Sequence, residues 1–163
     1  MRTGSPHDRL VKAVFSLPRF AAQLLPLARN PARLAGLDPA TLVQASSEAV
    51  DEALQARIPD LLFRVARRDA RGRRALLLLE HSSKGWRWVM LRLLRDARAA
   101  LECERRSTPG RRLPPVFPLV LFPGPGPWRW PLSMREILEG DPEDPTLGPL
   151  LQADVVGADA LAW

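Results

Sequence analysis

The chain has 163 residues, 46% apolar and 26% charged, and no apolar run approaches the roughly 18–20 residues that span a bilayer, so we expect one soluble domain and no membrane segment. A single cysteine, Cys103, excludes an intramolecular disulfide, and with only His7 and His81 as imidazoles a zinc site is not expected. The net charge of +6 indicates a polyanionic partner, but the basic residues are almost all arginines, and the bias of GC-rich coding explains that charge equally well.

The amino-terminal part of the chain predicts short helices followed by an acidic segment. Residues 1–8 lack the apolar core of a signal peptide, so we expect the protein to be cytoplasmic. Residues 10–27 carry apolar side chains at helical spacing that is interrupted at Pro18, which predicts one short helix and then another. A loop follows, and Asp38 at its end is a possible helix start. The segment 41–56 is polar, and we interpret its acids Asp51 and Glu52 as a solvated face.

Two strands around a charged loop are the most informative part of the chain. Apolar runs follow Asp60 and precede Glu80, and the stretch 67–74 between them is charged and contains a glycine, as in a hairpin loop. An antiparallel hairpin centred on position 70 would place the two carboxylates opposite each other, with Cβ atoms about 4.5–5.5 Å apart if they share a face. Two acids this close repel unless a cation lies between them, and carboxylate oxygens suit Mg²⁺. The hairpin is therefore a candidate phosphodiester-cleaving site.

The segment 86–106 predicts the clearest helix. An apolar stripe recurs every three or four residues, at Met90, Leu94, Ala97 and Leu101. Basic side chains recur every three residues on another face, at Arg92, Arg95 and Arg98. These arginines either form a solvated face or contact phosphates. Cys103 is expected to be a small apolar filler.

A third strand and an irregular tail complete the chain. The run 116–122 predicts a strand in which Pro118 implies an edge or irregular position. The proline- and glycine-rich run that follows cannot be regular, and we expect the tail from Asp141 to pack loosely. Four tryptophans either pack in the core or stack on unpaired bases, at Trp86, Trp88, Trp128 and Trp130.

The order of these elements resembles that of the restriction-endonuclease-like PD-(D/E)xK nucleases. More specifically, the chain resembles the bacterial recombination-promoting nuclease and transposase family over about residues 6 to 131. The matching residues are His7-Asp8 with Lys12, Asp60-Leu61-Leu62-Phe63, Leu78 to Ser83, Trp88, Leu91 to Arg95, Leu113 to Val116, Leu119 to Leu121 and Gly124 to Trp128. The Glu-His-x-Ser strand end, followed by the tryptophan and the Leu-Arg-Leu-Leu-Arg helix, is the most specific part.

The resemblance implies an α/β, restriction-endonuclease-like core in which a mixed central sheet carries the acidic hairpin between flanking helices. It also implies a DNA endonuclease dependent on Mg²⁺ or Mn²⁺, with Asp60 and Glu80 as metal ligands and Asp8 as either a further ligand or a helix cap. Two residues after the glutamate, the family usually has glutamine and the superfamily lysine to orient the attacking water. Here that residue is Ser82, which is shorter and uncharged. On a regular strand the side chains of Glu80, Ser82 and Lys84 would lie on one face. Lys84 is therefore either a replacement for the missing catalytic residue or an ordinary surface lysine.

The implied partner is DNA, in reactions of recombination or mobile elements. Arg92, Arg95 and Arg98 would hold its backbone. Double-strand cutting by this fold generally needs two active sites and hence a homodimer, but the sequence leaves the oligomeric state open. We divide the chain into a nuclease-like domain over 1–131 and a C-terminal tail over 132–163, shorter than in relatives. The alternative is a catalytically inactive remnant that acts as a DNA-binding or protein-interaction domain.

Overall fold

A mixed five-stranded sheet runs through the chain, with helices on both of its faces. The computed structural model describes residues 6–45, 61–141, 143–145 and 151–161. The strands are Val43–Gln44 (β1), Leu62–Ala66 (β2), Arg74–His81 (β3), Val116–Phe122 (β4) and Asp154–Gly157 (β5), and the helices are Pro6–Phe15 (α1), Pro18–Leu24 (α2) and Val89–Ser107 (α3). In the sheet order β1-β2-β3-β4-β5, the first three strands pair antiparallel and the last three parallel. This confirms the predicted α/β class with a mixed sheet.

Two short helices open the described chain, as the break at Pro18 predicted. Pro18 is the first residue of α2, where its missing N–H is not needed. Asp38, the predicted helix start, caps a single 3-10 turn and accepts from the N–H of Ala40 at 3.2 Å. No single described helix is long and apolar enough to cross a bilayer, although the bent pair 9–15 and 18–27 passes that test of length and composition when joined.

The sheet buries both faces because β3 sends apolar side chains alternately to each side. Leu77 and Leu79 pack in the cluster that contains α1 and α2, whereas Leu76 and Leu78 pack in the cluster that contains α3. All four are buried, which confirms the prediction of a central strand covered on both faces. By the same alternation Glu80 belongs to the α3 side of the sheet.

The β2–β3 hairpin has the register that the spacing of the two acids predicted. Leu62 pairs with Leu78, and each further pair is likewise centred on position 70. The N–H of Leu79 donates to the carbonyl of Leu61 at 2.9 Å, so the pairing extends to the first described residue of this arm. Asp60 itself lies outside the described residues.

Strand β4 lies inside the sheet, which corrects the edge position that Pro118 implied. Its pairing with β5 begins at Leu119, one residue after the proline, so the missing N–H costs no hydrogen bond between these strands. The expectation of a loosely packed tail is also corrected, since β5 completes the sheet and residues 153–156 are buried. The Pro-, Asp- and Gly-rich composition belongs to residues 141–149, and the apolar run in β5 is too short to be recognised.

Helix α3 begins at Val89 rather than at position 86, and it buries part of the predicted stripe together with residues beside it. The core-facing residues include Met90, Leu93, Ala97 and Ala100, whereas Leu94 is exposed. The sequence disfavours this stripe because Asp96 and Glu104 lie on it. Both carboxylates are buried in ion pairs with arginines, which makes their burial tolerable.

Candidate functional site

Glu80 lies near the carboxyl end of β3 and faces the first turns of α3. Its carboxylate accepts a hydrogen bond from the guanidinium of Arg92. That guanidinium also lies over the ring of Trp86, 5.0 Å from the ring centroid. The Glu80 side chain is only 14% exposed, against 36% for Arg92. Glu80 is therefore a largely desolvated carboxylate held by an arginine.

Burial dominates the electrostatics of Glu80. Desolvation raises the pKa of its carboxyl group above the usual value, and the charge and hydrogen bond of Arg92 oppose that rise. Repulsion from Asp96 raises this pKa further, whereas attraction to Lys12 lowers it. Asp96 is itself buried and ion-paired with Arg95 at 2.8 Å. These five side chains bring two carboxylates among three cations, an environment in which Glu80 needs positive charge beside it to remain ionised.

Ser82 and Lys84 both lie beyond the end of β3 at His81. Ser82 is buried, and its N–H donates to the carbonyl of Leu121 at 3.0 Å, which keeps it beside β4. Lys84 is exposed. The alternation of side chains holds only within a strand, so it does not align Lys84 with Glu80. The catalytic role of this lysine stays a prediction.

Two glycines determine the path of the chain between β3 and α3. Gly85 has a φ of 68°, and a Cβ there would lie 2.2 Å from the ring of Trp130. A Cβ on Gly124 would lie 2.8 Å from the carbonyl oxygen of Ser83. The connection to α3 is thus packed against the segment that follows β4. This contact positions the start of α3, and with it Arg92, at the end of the sheet.

The four tryptophans divide between packing and exposure. Trp128 and Trp130 form edge-to-face contacts with each other and with Phe122, at centroid distances of 5.0 to 5.7 Å. Trp86 and Trp88 are exposed, each with an arginine over its ring. Packing is confirmed for the first pair, and the exposed pair leaves the stacking alternative open.

The three predicted DNA-binding arginines of α3 do not form one face. Arg92 is bound to Glu80 and Arg95 to Asp96, whereas Arg98 is exposed and lines a groove of about 450 Å³ beside the segment 113–116. A spacing of three residues turns successive arginines about 60° apart around the helix axis. Two of the three predicted phosphate contacts are thus paired with carboxylates within the protein.

Asp96 is the residue near the site to which the sequence assigned no role. It lies on the core-facing stripe of α3, where a carboxylate is rare unless it is paired. Its position directly after Arg95 was the available signal. Recognising it would have required knowing which apolar stripe faces the sheet.

Several predicted acidic residues cannot be located. Asp60, Asp51 and Glu52 lie outside the described residues, and the side chain of Asp8 is also outside the description. Within the described ranges, no group of three or more His, Cys, Asp or Glu side chains is arranged to hold a metal ion. Of the two predicted metal ligands, the structure therefore places Glu80 alone.

A buried acidic strand end facing an arginine-bearing helix, on a mixed α/β sheet, is consistent with a restriction-endonuclease-like core. The family model described as "Putative transposase, YhgA-like" matches residues 5–154, and the chain belongs to that family. It is 31% identical over 131 residues to the Recombination-promoting nuclease RpnD of Escherichia coli O157:H7, an alignment that covers 77% of this chain and 49% of the relative. The chain thus spans about half the length of that relative. No solved structure matches it significantly.

Proposed function

We propose that the chain is a metal-dependent DNA endonuclease that acts in recombination or on mobile elements, with Asp60 and Glu80 as ligands of Mg²⁺ or Mn²⁺. Its family and the name of the E. coli relative support nuclease chemistry. A homodimer is part of the proposal because cutting both strands requires two sites.

The observation that carries the proposal is the register of the β2–β3 hairpin. Its pairs are centred on position 70, and hydrogen bonding reaches Leu61 on one arm and Leu79 on the other. The next position along each arm is Asp60 and Glu80. This is the register that a shared ion requires, and a one-residue slip would have turned Glu80 to the opposite face.

The donor chemistry of Glu80 suits a hard divalent cation. Its carboxylate is desolvated and already held by a positive group, Arg92. Mg²⁺ usually takes one or two protein carboxylates and completes its coordination with water and substrate phosphate, so Asp60 and Glu80 suffice as protein ligands. The chemistry that such an ion supplies is polarisation of a phosphoryl oxygen and activation of a water.

The other residues near the site have distinct roles in this proposal. Arg92 has five N–H donors, so it can donate to a phosphate while it remains near Glu80. Arg98, which is exposed, contributes a sequence-independent backbone contact. Ser82 supplies a hydroxyl group that carries no charge, which leaves Lys84 as the lysine available in this segment to hold the attacking water.

The test is nicking of supercoiled plasmid in Mg²⁺ and Mn²⁺ by the wild type and by Asp60→Asn and Glu80→Gln. Each substitution removes one oxygen ligand at nearly constant shape, and we expect the rate to fall by about 100-fold or more. Glu102→Gln is the matched control, since Glu102 lies on α3 and pairs with Arg105 and Arg106. Equal nicking by wild type and Glu80→Gln would refute the proposal.

One observation favours the second candidate, a catalytically inactive protein that binds DNA. Arg92 occupies the direct cationic contact to Glu80, and Ser82 replaces the residue that orients water. An inactive protein would bind Mn²⁺ weakly and bind DNA without nicking it. Titration of Mn²⁺ by electron paramagnetic resonance, with Glu80→Gln as reference, separates the two candidates without measuring activity.

A further inference from the structure

Four arginines lie exposed at the end of the sheet opposite Glu80. Arg71 and Arg73 belong to the turn between β2 and β3, and Arg111 and Arg112 to the connection between α3 and β4. None of the four is ion-paired with another described residue. Both segments are open turns, since nothing lies within 4 Å of a Cβ built on the glycine of each.

Several neighbouring arginines, by contrast, are ion-paired within the protein. The pairs are Arg67 with Asp69, Arg68 with Asp38, and Arg105 and Arg106 with Glu102. The four exposed arginines, which have no such ion pair among the described residues, add further positive charge at this end. A polyanion that displaces counterions here gains affinity.

The parallel pairing of β3 and β4 brings the two pairs of arginines together. Arg73 directly precedes β3. The N–H of Leu76, near the start of β3, donates to the carbonyl of Pro115 at 2.9 Å, and Arg112 lies three residues before this proline. Three residues span at most about 11 Å, so Arg112 lies within that reach of the start of β3.

A buried carboxylate holds this end in place. Glu104 lies in the last turns of α3 and is 2% exposed, and its carboxylate accepts a hydrogen bond from Nε of Arg64 at 2.7 Å. It also lies 3.5 Å from Arg74 at the start of β3. The end of α3 is thus tied to the hairpin, so both exposed arginine pairs are presented from a fixed frame.

We propose that this arginine corner, formed by Arg71, Arg73, Arg111 and Arg112, is a second binding surface that contacts the phosphate backbone of duplex DNA. Guanidinium groups match phosphate oxygens bidentately, and none of the four forms an ion pair with a carboxylate in the described part of the chain.

The corner is within reach of a duplex that also contacts Glu80. Arg74 and Glu80 are six residues apart on β3, about 20 Å, which is the length of about six base pairs. A single duplex can therefore span both ends of the strand. This joint contact rests on the proposed function, whereas binding at the corner does not.

The test measures binding of a duplex of about 20 base pairs, longer than this separation, in EDTA and in the Glu80→Gln background, so that cleavage plays no part. Three charge-matched double variants are compared: R71Q/R73Q, R111Q/R112Q and, as control, R9Q/R19Q on the exposed surface of α1 and α2. Substituting either pair of corner arginines should reduce the magnitude of the slope of log affinity against log salt by about 1.8, since one phosphate contact contributes about 0.9. The loss of affinity between 50 and 200 mM salt should then shrink about tenfold, and the control should change it less than about twofold.

Equal slopes in all three double variants would overturn the proposal, because net charge alone would explain binding. Tighter binding of an RNA duplex would also overturn it. R71K/R73K keeps the charge, so it should retain the wild-type slope and lower the affinity only through the lost bidentate geometry. All four side chains are exposed, so thermal unfolding should be unchanged. If the protein does not nick plasmid but the corner variants lower the salt slope as expected, the proposed nuclease function is refuted and the proposed binding surface is supported.

Discussion

The ion pair between Glu80 and Arg92 makes a quantitative prediction about stability. Arg92→Met keeps the aliphatic volume and leaves a carboxylate that is 14% exposed without its direct partner. Removing one partner of a fully buried pair costs about 3–5 kcal/mol, but Arg92 is 36% exposed and water screens part of the interaction. We therefore expect the free energy of unfolding at pH 7 to fall by about 2–3 kcal/mol. For a chain of this size the melting temperature should fall by about 5–10 °C.

The pH dependence of this loss follows from the raised pKa of Glu80. A carboxyl group whose folded pKa lies above its ordinary 4.5 stabilises the fold below that value, and this contribution is lost as pH rises through the folded pKa. Without Arg92 the pKa rises further, because the cation that opposed desolvation is gone. The melting-temperature deficit of Arg92→Met should therefore be small near pH 4 and largest near pH 8.

Thermal unfolding at both pH values, followed by circular dichroism, measures the deficit. Glu80→Gln removes the charge that needs a partner, so the double variant E80Q/R92M should recover most of the loss at pH 8 and show little pH dependence. Arg98→Met, which removes an exposed α3 arginine, is the matched control and should change the melting temperature by less than about 2 °C. A deficit that is the same at both pH values, or that the double variant does not relieve, would refute the reasoning.

Three further predictions concern the frame around the site. Gly85→Ala should lower the free energy of unfolding by about 2–3 kcal/mol in chemical denaturation, because the φ of Gly85 is positive and the new Cβ would overlap the indole ring of Trp130. The same change at Gly72, a turn glycine with open space around it, should cost only the backbone strain. Arg64→Met should lower the free energy of unfolding by about 1–3 kcal/mol, because Glu104 then keeps only its longer contact with Arg74. Adding E104Q to the same chain should recover part of that loss in chemical denaturation. Losses that simply add in the double variant would contradict the ion pair. Hydrogen bonds and charge from Arg105 and Arg106 lower the pKa of Glu102 to about 2. Carbon-detected NMR should measure this pKa and show that it rises in R105Q. An unchanged pKa would show that the ion pair is absent in solution.

The parts of the fold that the sequence could predict are those determined by local patterns. The hairpin register follows from two apolar runs around a glycine-containing loop, and the buried β3 follows from its uninterrupted leucines. Strand β5 and the packed end of the tail were not predictable, because four residues carry too little periodicity. The buried face of α3 was predicted in part, at Met90 and Ala97. The burial of Asp96 and Glu104 was missed because it depends on arginine partners that the spacing of apolar residues does not reveal.

The hairpin register could be predicted from the strands, whereas the ion pairs of the helix arginines could not be predicted, and the difference has a physical origin. Pairing in a hairpin follows from counting residues outward from the turn, so the register could be predicted without coordinates. The arginines of α3 were assigned to DNA because they are basic, and their spacing does not reveal that Arg92 and Arg95 pair with the carboxylates of Glu80 and Asp96. Their contact with DNA stays a prediction. In the proposed site, Arg92 and a divalent ion would both interact with the carboxylate of Glu80. Arg92 therefore stabilises the desolvated carboxylate of Glu80 in this structure, and the pH dependence of Arg92→Met tests that role without a metal ion.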